Sequence, residues 1–346
     1  MVIKRLRGAV LAVAGLALFI IALSLLKTAA HDLTPILTQM RVSGLRQSIG
    51  FGWLGAYVLL SGSPIAAISL TLFSSGAISD VAALGMMTGS RLGASFIVLF
   101  VGFLYYLRGQ RRVASVAVGV LAFLVTATIY LPAMALGVVI LQRGWLDGVR
   151  FDAPAALESG IDFFVAPIVG LAQAWLPSWG LFVAGVALLL AAFRLFDLVL
   201  PSVDGEGSRF SELSNAVYRP LVMFAVGAVF TSLTMSVSVS LTLLVPLATR
   251  GYVRRENIIP YIMGANITTF IDTLVAALLL STPRAFTLVI VEIVTVSFFS
   301  LLILGALYPA YRRLMNRVLD WTLASHWRLL LFVVFTVGIP ILLLTW

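Results

Sequence analysis

The sequence has no cysteine and only two histidines, His31 and His326. Disulfides, thiolate catalysis and cysteine-ligated metals are excluded, and a His-based metal site or Ser-His-Asp arrangement lacks its material. Charge is scarce as well. Asp, Glu, Lys and Arg make up 11% of the 346 residues, where a soluble domain carries roughly 25%. No glycine-rich phosphate loop precedes a lysine, which argues against ATP-driven chemistry within the chain.

What is present is apolar. Hydrophobic residues make up 61% of the sequence and mean hydropathy is +1.09, material for roughly ten spans of about 20 residues each. The expected class is an all-α polytopic membrane protein of an inner or plasma membrane, because a lipid-exposed backbone must satisfy its own hydrogen bonds. Net charge is +9, and the basic residues lie in short connections between apolar runs. They read as topology determinants facing a lipid bilayer, not as a nucleic-acid surface.

Apolar runs fall at 8–26, 49–73, 81–107, 113–141, 179–201, 219–248, 257–280, 285–310 and 329–345. The first resembles a secretory leader, but its VAGLAL at 13–18 recurs as VAGVAL at 183–188, so it is expected to belong to the mature fold. The correspondence continues at a slightly larger, constant offset. Ser61, Gly62 and Ser63 fall opposite Ser236, Val237 and Ser238, Gly76 opposite Gly251, and Gly89 opposite Gly264. Small and polar residues thus interrupt both halves in the same places, a pattern that points to a transporter site built from broken helices.

Four basic clusters set the expected orientation: Lys4, Arg5 and Arg7; Arg108, Arg111 and Arg112; Arg250, Arg254 and Arg255; Arg312, Arg313 and Arg317. Placing all four on the cytoplasmic side requires runs 49–73 and 219–248 to be re-entrant hairpins from opposite faces. Two inverted-topology repeats follow, at 1–142 and 179–311, joined by an external connection at 143–178. A basic linker and an extra membrane helix occupy 312–346. The count is about seven crossings plus two hairpins, with 160–176 open between an interfacial helix and a short span. Trp175, Trp179, Trp321 and Trp327 read as interfacial anchors.

The segment 235–270, MSVSVSLTLLVPLATRGYVRRENIIPYIMGANITTF, resembles the repeat of the sodium/phosphate cotransporter family. That repeat opens on a QSSS motif, has a glycine at the spacing that separates Met235 from Gly251, and closes on a GANIGTT-like motif. Ser236, Ser238, Gly251, Gly264, Ala265, Asn266, Ile267 and Thr269 stand at matching positions. In the first half Ser61, Ser63, Gly76, Gly89, Gly93 and Ser95 match more loosely. The resemblance implies a secondary active transporter working by alternating access, with phosphate as substrate, sodium as coupling ion and no resident cofactor. It also implies that the two serine segments face one another across the substrate. The motif Gln is Leu60 in one copy and Met235 in the other, and the closing-motif Asn of the first copy is Arg91.

Charge placement supplies the remaining candidates. Arg91 lies within an apolar run, where burial of Arg costs roughly 2.5–3.5 kcal/mol on insertion scales. It could hold a small anion, stand in for a sodium ion, snorkel to an interface, or pair with Asp272, the acid that follows GANITTFI. Asp272 could bind sodium or carry a proton. Substrate-binding candidates are Ser61, Ser63, Arg91, Ser236 and Ser238. Cation-binding candidates are Ser95, Asn266, Thr268, Thr269 and Asp272, with Gly89 and Gly264 expected to let the chain unwind and free carbonyls. Glu292, a further intramembrane acid, is expected to be structural. Two other readings remain open: a degenerate transporter fold kept as a scaffold or regulatory subunit, and an intramembrane enzyme acting on lipid phosphates. The second lacks a visible nucleophile–base pair, so the chain is not expected to be an enzyme.

Overall fold

The computed structural model describes residues 2–39, 44–107, 113–151, 155–199, 220–249, 253, 255–280 and 282–345. Among them every regular element is helical. Seven helical stretches are long and apolar enough to cross a bilayer: Gly8–Ala30, Asp80–Leu104, Ser115–Arg143, Ser178–Phe196, Arg255–Leu279, Pro283–Leu323 and His326–Thr345. They coincide with seven of the nine apolar runs, and the chain is that of a membrane-embedded helical protein.

The other two runs are each split by a turn. Run 49–73 gives α2 (Leu45–Leu59) and α3 (Ser63–Ser74), following α1 (Val2–Gln39). The break has a local cause. Leu60 adopts a left-handed conformation, φ 49°, with its N–H donated to Ala56 O and Tyr57 O, and Pro64 sits in the first turn of α3, where its missing N–H costs nothing. Run 219–248 gives α8 (Pro220–Thr234) and α9 (Val237–Thr249), parted at Met235, φ 47°. No proline or glycine starts α9. Instead the Ser236 hydroxyl accepts Val239 N–H at 3.3 Å, in the manner of an N-cap. Leu60 and Met235 are the two positions where the resembled motif has Gln. A left-handed non-glycine residue costs roughly 1–2 kcal/mol, and here the same feature recurs at the corresponding position of each half.

Between these two split helix pairs run α4 (Asp80–Leu107), α5 (Val113–Arg143), α6 (Ala155–Trp175) and α7 (Ser178–Val199); after them come α10 (Arg255–Thr268), α11 (Ile271–Leu279), α12 (Pro283–Leu302), a π-turn at Ile303–Leu307, α13 (Tyr308–Leu323) and α14 (His326–Thr345). α1 packs along α7, α2 along α4, and α8 along α10. The last two pairs touch backbone to backbone. A Cβ on Gly52 would lie 2.1 Å from Met86 O, and one on Gly227 would lie 2.1 Å from Tyr261 O; a Cβ on Gly89 would lie 2.2 Å from Ile49 O and one on Gly264 2.0 Å from Phe224 O. These two contacts of the α2–α4 crossing thus have counterparts at the α8–α10 crossing. Small residues let membrane helices approach this closely.

This packing corrects the expectation for Gly89 and Gly264. Neither unwinds the chain: both lie inside helices, and α4 is continuous from Asp80 to Leu107. The hydroxyls near Gly89 fold back onto their own turns, Ser90 to Met87 O at 2.7 Å and Ser95 to Leu92 O at 2.6 Å, so they support the helix instead of opening it. In the second half the helix is interrupted a few residues after Gly264, at Thr269 and Phe270 between α10 and α11.

Two further differences concern the connections. The basic stretch at Arg312–Arg317 is helical, so position 312 lies inside a continuous helical run rather than a linker. Arg312 pairs with Glu256 at 3.9 Å and Arg255 with Asp320 at 2.7 Å, which joins two of the four basic clusters at one end of the bundle. Segment 160–176 is helical as far as Trp175, the end of α6, whose apolar stretch Phe163–Trp175 is shorter than a span. Its Phe163, Phe164, Leu171 and Trp175 are exposed. Arg41, Arg108, Arg111, Arg112, Arg250, Gly251 and Arg254 lie outside the described residues.

Candidate functional site

Arg91 sits midway along α4, 2% exposed, where the α10–α11 interruption meets that helix. One terminal nitrogen donates to Thr269 Oγ1 at 3.1 Å; the other donates to Asp272 Oδ1 at 3.3 Å and to Thr273 Oγ1 at 2.5 Å. The guanidinium carbon lies 5.0 Å from the centroid of the Phe270 ring, a cation–π contact that replaces part of the lost hydration. Thr269, Phe270, Asp272 and Thr273, all from one short stretch, thus turn toward one fork. They can do so because the helix is interrupted there, which lets the first turn of α11 approach side-on. Asp272 Oδ1 also accepts Thr273 N–H at 2.5 Å and Thr273 Oγ1–H at 2.7 Å. A carboxylate in a first turn complements the unpaired amides of the helix start.

Around this pair lies a second layer. Asn266 holds the position in α10 that Arg91 holds in α4, and its Nδ2 donates to Thr126 Oγ1 at 3.2 Å. Tyr130 of α5 donates its hydroxyl to Asn266 O at 2.7 Å, and its ring lies 5.9 Å from that of Phe270. The carbonyl lies in the last turn of α10, where acceptors lose their intrahelical partners. Tyr130→Phe should therefore lower the unfolding free energy in detergent by about 1 kcal/mol, within the range for membrane hydrogen bonds; an unchanged midpoint would show that the bond carries no stability. Glu292 of α12 is 1% exposed, and Thr88 donates to its Oε1 at 3.3 Å. Asp272 Oδ2, Glu292 Oε2 and Arg91 Nε are buried without a hydrogen-bond partner.

Protein-family models, curated proteins and solved structures give no match to the chain. The site must be read from its own geometry.

The expected cation ligands do not gather around one point. Thr269 and Asp272 are both engaged by Arg91, Asn266 turns to Thr126, Ser95 bonds its own turn, and Thr268 donates to Ala228 O at 2.8 Å, tying α10 to α8. Two of the five expected ligands, Thr269 and Asp272, thus already accept hydrogen bonds from the guanidinium. The anion candidates divide similarly. Arg91 contacts none of the four serines through a hydrogen bond. Yet the Ser61–Ser63 turn is near it: a Cβ on Gly62 would lie 2.7 Å from Ser90 O and 3.0 Å from Ala94 Cβ, on the α4 turn that carries Arg91. α9, which begins just after Ser236, also packs on α4. Ser61, Ser63 and Ser238 commit their hydroxyls to no hydrogen bond among the described residues. A separate cavity of about 420 Å³, lined by Phe96, Phe100, Val116, His326, Leu329 and Val333, is apolar and does not reach Arg91.

Thr273, Thr88, Phe270, Thr126 and Tyr130 belong to the cluster without having been singled out in the sequence. The hydroxyl-rich string at 268–273 was the available signal for Thr273. Nothing local marks Thr88, Thr126 or Tyr130, whose roles arise from helices that meet only in three dimensions.

Proposed function

We propose that the chain is an inverted-repeat secondary transporter that moves a small inorganic anion of the phosphate class across a lipid bilayer by alternating access. The reading rests chiefly on the two helix–turn–helix segments. Each has a left-handed residue at the same relative position, Leu60 and Met235, followed by a serine-bearing helix start, and both second helices, α3 and α9, pack on the helix that carries Arg91. In this proposal the two hairpins are re-entrant from opposite faces, and the halves are inverted relatives of the sodium/phosphate cotransporter repeat.

The chemistry follows from helix termini. Free N–H groups at the starts of α3 and α9, with hydroxyls of Ser61, Ser63, Ser236 and Ser238, supply donors and positive partial charge to an oxyanion. Arg91 supplies the full positive charge nearby, held in place by Asp272, Thr269 and Thr273. Because that charge is covalently attached, transport should not require sodium. Purified protein in liposomes should take up labelled phosphate, with the same initial rate when external sodium is replaced by choline. The Ser63→Ala, Ser238→Ala double variant should reduce uptake by about tenfold, the loss expected when about 1.4 kcal/mol of charge-assisted bonding disappears. If no phosphate, sulfate or arsenate is taken up or bound under any gradient, the scaffold reading replaces this one.

A further inference from the structure

Three ionisable groups meet in the interior of the bundle: Arg91, Asp272 and Glu292, each less than 5% exposed. Arg91 and Asp272 form an ion pair at 3.3 Å. Glu292 does not share it. Among the described residues no Lys or Arg lies within ion-pair reach of Glu292, and both guanidinium terminal nitrogens are directed to Thr269, Asp272 and Thr273. With all three groups ionised the cluster would carry one uncompensated negative charge in the buried interior. Buried charge of that kind is stable only when something positive accompanies it.

What could accompany it is limited by the surroundings. Glu292 projects from α12, which packs against α3, α4, α5, α10 and α11. The charged or titratable groups acting on it are Arg91 from α4, Asp272 from α11 and the Tyr130 phenol from α5; Arg284 of its own helix is exposed near that helix's start. Its neutral oxygen partner is Thr88 Oγ1, which bonds Oε1. A hard metal cation held by oxygen needs about six ligands, and one carboxylate with one hydroxyl falls far short. A proton needs only the oxygen that receives it. Glu292 Oε2 is buried and has no partner.

We propose that Glu292 is a proton-binding site, taking up one proton at Oε2 from the aqueous phase and returning it there, and that this proton is the coupling ion of the transporter. The reaction is the formation and breaking of a single O–H bond with no change of oxidation state. It brings the three-residue cluster from one net negative charge to neutrality, so each conformation that seals the site from water is favoured with the proton on. The coupling role rests on the transporter reading above. The existence of the proton site does not.

The two parts are tested separately. Infrared difference spectra of the full-length protein in lipid, recorded between acidic and alkaline buffer, should contain a protonated-carboxyl C=O band that is lost in Glu292→Gln and retained in Asp272→Asn. Should Glu292→Gln fail to fold, Thr88→Val makes the same assignment. Removing the hydroxyl that bonds Oε1 should move the band to higher frequency, since hydrogen bonding weakens the C=O. A band absent from the wild type, retained in Glu292→Gln or unmoved in Thr88→Val overturns the proton site. For the coupling role, sodium-free liposomes loaded with alkaline buffer and placed in acidic phosphate should accumulate phosphate at least tenfold above liposomes without the pH gradient, and Glu292→Gln should abolish that difference. A wild type that transports phosphate without responding to the gradient overturns the coupling role. A wild type that transports nothing overturns the transporter reading and leaves the infrared result to decide the proton site alone.

Discussion

Arg91→Met should destabilise the protein by about 3–5 kcal/mol, the loss found when one partner of a buried ion pair is removed. Asp272 would keep a buried carboxylate whose Oδ1 retains only Thr273 as donor, and Thr269 would lose its guanidinium contact. The Arg91→Met, Asp272→Leu double variant should recover most of that loss, because replacing a whole buried pair by apolar side chains is often neutral or stabilising. The double-mutant cycle, measured as denaturant unfolding in detergent, thus returns a coupling energy of at least about 2 kcal/mol. An Arg that merely snorkelled to an interface would give a single-variant change under about 0.5 kcal/mol. Arg91→Lys should fall between, since a point ammonium cannot reach Thr269 and Asp272 with two separate arms. The cycle also separates stability from function. If the double variant unfolds like the wild type yet takes up no anion, the fixed charge is part of the transport machinery and not only a clasp between α4 and α11.

Much of this fold was legible in the chain because hydrophobic spans write themselves into composition. Seven of nine apolar runs became long helices, and the other two split where Ser61–Ser63 and Ser236 interrupt them. What the sequence could not distinguish was a glycine that opens a helix from one that lets two helices touch. Gly89 and Gly264 look the same in either case. Their role is decided by the carbonyls of Ile49 and Phe224, which lie well back along the chain in each half and come into view only once α2 lies on α4 and α8 on α10.

The site was legible in part for a related reason. Arg91 and Asp272 stood out because charge inside an apolar run is costly, and a single cation and a nearby acid in two facing segments leave few other partners. Their neighbours did not stand out, since threonine and tyrosine are inexpensive in membranes and common there. Thr88, Thr126 and Tyr130 gain meaning from crossing helices, and a one-dimensional pattern cannot hold that information. Glu292 was visible as an acid but not as a member of the cluster. Its distance along the chain from Arg91 conceals a link through Thr88, one turn before Arg91 on α4.

The glycine contacts lead to the second large effect. Gly264→Ala should lower stability by about 2–4 kcal/mol, at or above the usual cost of overpacking, because the new Cβ would lie 2.0 Å from Phe224 O and 2.9 Å from Ala228 N. Those are backbone atoms, so no rotamer change relieves the clash and α8 must move away from α10. Gly89→Ala should behave alike against Ile49 O. Gly305→Ala, where a Cβ meets nothing within 4 Å, is the control and should stay within about 0.5 kcal/mol. Displacing α8 has a further consequence. Thr268 bonds Ala228 O, and the Thr231–Ser240–Tyr261 chain, at 2.7 and 3.0 Å, ties α8 to α9 and α10. Parting these helices would loosen the Ser236 turn and the segment that presents Thr269 and Asp272 to Arg91. Gly264→Ala should then impair anion uptake more than Tyr130→Phe does, although both lie outside the expected substrate contacts. Equal unfolding midpoints for Gly264→Ala and Gly305→Ala would mean that α8 and α10 do not approach at this crossing.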